Sequence, residues 1–213
     1  MSIKDTYLGQ AWLVLVLALC FGAALAGVEL GLRDRIEANK LAETMKRVPE
    51  LVPNAKTGTR VDIGRYPVYV VSGADERHVG WVIKAAGMGF SDRIELLIGL
   101  DRQAERITGL WVLDQKETPN LGSRIEEEAF RRPFYGGELS SRERVMAVKG
   151  APTGPNQIDA INGATVSSES VCEIVNGALR ELRDELVRRA EEIQKQAETR
   201  PKATAPATQP AGP

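Results

Sequence analysis

The chain has 213 residues, with 28 basic against 29 acidic, a formal net charge of -1 and an apolar fraction of 43%. This balance excludes a chain built to neutralise a nucleic-acid backbone, and it excludes global disorder. Two cysteines, Cys20 and Cys172, and a single histidine, His78, exclude a disulfide framework, a cysteine-ligated iron-sulfur cluster and a bis-histidine haem. Any redox chemistry therefore needs another kind of cofactor.

From Thr6 to Val28 no side chain is charged, and the interior reads AWLVLVLALCFGAALAGV. As a helix this run spans about 34 Å, enough for a hydrocarbon core of about 30 Å. The expectation is a single membrane crossing within an anchor at residues 1–30; a cleaved signal peptide competes, with a small-residue site offered loosely by Ala24 and Ala26. Lys4 and Asp5 on one side and Arg33, Arg35, Lys40, Lys46 and Arg47 on the other leave topology open on charge alone. Residues 31–55 read as a juxtamembrane helical segment ended by Pro49 and Pro53. It either stands the next domain off the lipid or packs on that domain.

A domain is expected over 56–196. PVYVVSG, HVGWVIKAAG, RIELLIGLD and ERITGLWVLD are short apolar, β-branched runs between glycine or charged turns, and predict a sheet from about 67 to 114. SRIEEEAF predicts a short helix. After Ala164, Val171, Val175, Ala178, Leu179, Leu182 and Leu186 recur at helical spacing, so a long amphipathic helix begins within a few residues of Thr165. Ser170 and Glu173 have capping-box spacing, and Ser167 or Ser168 offer an earlier cap. The last segment, 197–213, lacks apolar periodicity and reads as a disordered Pro/Ala-rich tail. Strand runs followed by a long helix give an α+β class, a mixed sheet/helix domain behind a single transmembrane helix.

Two stretches carry candidate chemistry. KETPNLGSRI, Lys116 to Ile125, leaves a sheet edge with Glu117 and Thr118, turns at Pro119 and allows close approach at Gly122. It suits a planar ligand, or is an ordinary strand-to-helix connection. DAINGATVSS, Asp159 to Ser168, sets a hydroxyl, Thr165, between a glycine turn and a helix start, where unpaired N–H groups favour a phosphate; a plain helix cap is the competing reading. No nucleotide-binding glycine-rich loop with its lysine is present, nor a nicotinamide fingerprint.

Together these motifs resemble the flavin-binding domain shared by the G subunit of the Rnf electron-transport complex and the C subunit of the sodium-translocating NADH:quinone oxidoreductase. The likeness runs over most of residues 5 to 185 and includes GWVIKAAGMGF. Of the family pattern Asp-x-x-Ser/Thr-Gly-Ala-Thr, Asp159, Gly163, Ala164 and Thr165 are present, with Asn162 at the Ser/Thr position. Of Glu-Thr-Pro-Gly-Leu-Gly, Glu117, Thr118, Pro119, Leu121 and Gly122 are present, with Asn120 for glycine, the side chain most tolerant of a left-handed backbone.

The resemblance implies an FMN-binding domain holding covalent FMN through a phosphoester to Thr165. Gly163 and Ala164 would shape the phosphate turn, and Glu117, Thr118, Leu121 and Gly122 would surround the cofactor. It further implies an electron-relay subunit of an ion-translocating ferredoxin:NAD oxidoreductase, the chain's length favouring the Rnf type. Its partners would be other membrane, iron-sulfur and flavin subunits, membrane lipid, and a flavin transferase for maturation. The domain would face the periplasm from the inner (cytoplasmic) membrane. Met88 and Phe90 either lie near the ring or pack the sheet; Trp81, Trp111 and Tyr135 read as core or interface residues. A non-redox assembly subunit, or an anchored flavoprotein of another respiratory or reductase system, are the alternatives.

Overall fold

The computed structural model describes residues 3–199. Its first unit, residues up to Glu43, is most of one helix, α1 (Ile3–Leu51), which runs unbroken through the expected boundary at residue 30. Among the described residues α1 is the one helix long and apolar enough to cross a membrane, and Trp12, Leu15, Phe21 and Leu25 along it are exposed. Pro49 sits in its last turn, and the helix ends two residues later.

The second unit begins at Thr44. Five strands, β1 (Thr57–Ile63), β2 (Tyr66–Ser72), β3 (His78–Met88), β4 (Arg93–Asp101) and β5 (Ile107–Asp114), form an antiparallel meander in sequence order. The sheet thus starts ten residues before the expected 67, because β1, TGTRVDI, is a half-exposed edge strand without an apolar run. After β5 the expected helix in SRIEEEAF is broken. A 3-10 turn (Gly122–Glu126) and a one-turn helix α2 (Glu128–Arg131) are separated at Glu127, whose extended backbone (ψ 143°) ends the first turn. A two-stranded parallel pair, β6 (Met146–Val148) and β7 (Gln157–Asp159), leads to α3 (Thr165–Thr199). α3 runs three residues into the expected tail at 197–213, whose remainder, from residue 200, lies outside the described residues.

Side-chain alternation sends each strand's residues to two different cores. Trp81, Ile83, Ile94, Leu96, Ile98 and Leu110 join Val171, Val175, Leu179, Leu182 and Leu186 of α3. Tyr69, Val71, Val82 and Leu97 join Val48, Leu51 and Val52 at the foot of α1, which packs on the sheet. Each large side chain fully buried here contributes about 1.5–3 kcal/mol. The foot of α1 is seated by the cross-strand pair Gly99 and Gly109: a Cβ on Gly99 would lie 2.5 Å from the Leu51 carbonyl oxygen. The Thr108 hydroxyl donates to that oxygen at 2.7 Å. Trp81 is in the core and donates to the Arg102 carbonyl at 3.3 Å. Trp111 lies between the guanidiniums of Arg47 (3.7 Å) and Arg131 (4.2 Å), and Tyr135 donates to the Leu110 carbonyl, so all three serve packing.

Candidate functional site

β7 delivers the chain to the turn Asn162–Gly163, where Gly163 has φ +85°, a left-handed conformation. Ile161 accepts the Ala164 N–H at 2.9 Å, and α3 starts at Thr165 with Ala164 in the capping position. Alanine has no polar side chain to cap, so the first-turn N–H groups, which a helix leaves without internal acceptors, stay open. The capping expectations are corrected accordingly. Ser170 lies inside the helix and Glu173 pairs with Arg144. Ser168 instead braces the turn, accepting the Ile161 N–H and donating to the Ala164 carbonyl, both at 3.0 Å.

The second motif is organised around Glu117, a 5% exposed carboxylate. Its Oε1 accepts the Ser91 N–H at 3.0 Å, from the turn between β3 and β4. Its Oε2 accepts the Ser167 hydroxyl at 2.6 Å, from the first turn of α3. Two glycines make the room: a Cβ on Gly89 would lie 2.2 Å from Oε1, and one on Gly122 would lie 2.6 Å from Oε2. Thr118 adds a side-chain contact to the Ser91 hydroxyl at 3.3 Å, and its carbonyl accepts the Leu121 and Ser123 N–H groups. Asn120 holds φ 59°, as its tolerance for that conformation predicts. One buried side chain thus gathers three segments distant in sequence.

They enclose a cavity of about 380 Å³, within the range of ligand pockets, lined by Phe90, Thr118, Leu121, Thr165, Val166 and neighbours. A more polar cavity of about 350 Å³ is lined by Arg124, Lys149, Asp159, Asn162 and Thr165 among others. Lys149, Asn162 and the half-buried Thr165 border both. Of the expected site residues, Thr165, Thr118, Leu121, Gly122, Gly163 and Ala164 line the first cavity. Glu117 stands behind its wall with both oxygens engaged. Phe90 lines it with 67% exposure, and Met88, 70% exposed, packs in neither core.

Sequence reading missed Lys149, Ser91 and Ser167. Lys149 borders both cavities and has no ion-pair partner among the described residues. Its position six residues after Glu143, in a loop without a motif, gave no signal. Ser167 was legible only as a cap.

Residues 89–180 match the FMN-binding domain family. Over 152 residues the chain is 32% identical to the G subunit of the ion-translocating oxidoreductase complex of Methanosarcina acetivorans, covering 68% of this chain and 76% of that protein. It is 26% identical over 144 residues to the C subunit of the Na(+)-translocating NADH-quinone reductase of Vibrio anguillarum, covering 65% of this chain but 52% of that relative. The crystal structure of NqrC from Shewanella oneidensis shares the fold, with a TM-score of 0.53 at 17% identity over 66% of this chain and 70% of that one.

Proposed function

The chain belongs to the family of G subunits of ion-translocating oxidoreductase complexes, and we propose that it is the membrane-anchored electron relay of an Rnf-type ferredoxin:NAD oxidoreductase, with FMN joined by a phosphoester to Thr165. The observation that carries this reading is the placement of the Thr165 hydroxyl: half-buried, at the first position of a long helix, on the border of two cavities. When bound, FMN supplies the capacity to accept and release electrons one at a time.

The chain's own residues would divide the work of holding it. The open first-turn amides of α3 and the helix dipole attract a phosphate, and the unpaired Lys149 offsets its charge. Gly163 and Ala164 bring the backbone close without a competing cap. Phe90, Leu121 and Val166 offer an apolar wall to a planar ring, while Thr118 supplies a hydroxyl and Gly122 admits Glu117 behind that wall. The ester keeps the cofactor on a solvent-facing domain from which a merely bound one could be lost by dilution. The charge-free run of α1 makes ion passage the task of partner subunits. In this reading the domain faces the periplasm from the inner membrane, receives its flavin from a flavin transferase, and exchanges electrons with iron-sulfur and flavin subunits.

The test is purification of the complex from native membranes. In-gel flavin fluorescence should persist under denaturing conditions in a band of this chain's mass and vanish in Thr165→Val. A non-fluorescent band within an intact, active complex would contradict the relay and favour an assembly role.

A further inference from the structure

Glu117 is the one buried carboxylate among the described residues that combines near-complete burial with no ion-pair partner. Such a group is costly, because two neutral donors offset its charge less than a cation would. A glutamine of the same shape could keep the Ser91 contact through its carbonyl and meet the Ser167 hydroxyl oxygen with its amide. The packing alone therefore does not explain the acid. Its two oxygens press against the positions of Gly89 and Gly122, and Gly122 and Ser167 line the cavity that borders Thr165. The negative charge is fixed one layer behind that cavity wall, where little solvent screens it.

We propose that Glu117 is a positioning residue whose fixed negative charge holds the reduction potential of a flavin in this cavity low. The inference rests on the flavin-carrier reading above. An electron passing from a reduced partner, which is oxidised by one electron, adds one unit of negative charge to the cavity unless a proton accompanies it. A buried carboxylate behind the wall opposes that charge. The hydrogen bond from Ser167 withdraws part of the carboxylate's density, so the pair sets the strength of the effect.

The experiment uses the full chain coexpressed with a flavin transferase and purified in detergent, with flavin occupancy read by mass and the midpoint potential by optical titration. Glu117→Gln should keep the flavin and shift the potential to more positive values. Ser167→Ala, which retains the charge and removes one donor, should shift it the opposite way. An unchanged potential in flavin-loaded Glu117→Gln overturns the proposal. If Glu117→Gln fails to load, Ser167→Ala decides, and an unchanged or positive shift there overturns it. Wild-type protein without flavin after coexpression would instead bring down the carrier reading itself, and this inference with it.

Discussion

Two places in the folded unit use the same device with opposite outcomes. Gly99 and Gly109 leave out side chains so that the Leu51 carbonyl can press against the sheet, and Gly89 and Gly122 leave them out so that the Glu117 carboxylate can reach Ser91 and Ser167. At the first place the admitted oxygen is matched by the Thr108 hydroxyl and sealed under Val48, Val52 and Leu97. At the second it is matched by two donors but stands behind the wall of a cavity that the uncapped start of α3 and Lys149, without an ion-pair partner among the described residues, border. A missing Cβ is a packing device where the admitted group is sealed in a core, and a site device where the admitted group backs the wall of a cavity.

The contrast can be broken by filling either seat. Gly99→Ala puts a Cβ 2.5 Å from a backbone oxygen that cannot swing away, and should cost about 3 kcal/mol or more, read by chemical denaturation with tryptophan fluorescence. Flavin attachment in the folded fraction should be unaffected. Gly122→Ala meets side-chain atoms at 2.6 and 2.7 Å, which yield more readily, so a smaller loss of about 2 kcal/mol is expected together with a clear fall in flavin occupancy by mass. If both variants lose stability alone, the two seats do not differ in kind.

A third prediction concerns the α3 core. Burial, followed by the nearby carboxylates Glu173 and Glu169, pushes the Cys172 thiol up to about 12. The folded chain therefore keeps a proton that the unfolded one loses above its ordinary value of about 8.5, and stability should fall as pH rises from there towards 12, by about 1.4 kcal/mol per pH unit at most. Denaturation midpoints at pH 8, 9 and 10 should drop, and Cys172→Ala should flatten the dependence. The smallest effect is expected at Lys149: Lys149→Met should leave stability within about 0.5 kcal/mol while lowering flavin attached in a time-limited coexpression about threefold to tenfold. Lys149→Arg should restore it.

What the sequence discloses follows from how local each cause is. β2 to β5 are legible because their apolar runs are buried between α3 and the foot of α1, and the stripe from Val171 to Leu186 predicts the buried face of α3 directly. β1 is illegible since an edge strand buries too little to leave a pattern. The broken helix at Glu127 turns on tertiary seating of Ile125, Phe130 and Phe134, which no local propensity encodes. At the site, Thr165, Gly163 and the loop from Glu117 to Gly122 stand out as motifs. The role of Glu117 does not, because it depends on Ser91, 26 residues before it, and Ser167, 50 residues after it. Lys149 is invisible for the same reason, its relation to Thr165 arising only once β6 and β7 pair.

The central claim is the ester at Thr165, and the most direct test is intact mass of the denatured chain from native membranes, followed by peptide mapping beside Thr165→Val. The account predicts an addition equal to FMN less water, confined to the peptide containing DAINGAT and absent from the variant. An unmodified native chain, or the same addition on another residue, would contradict it.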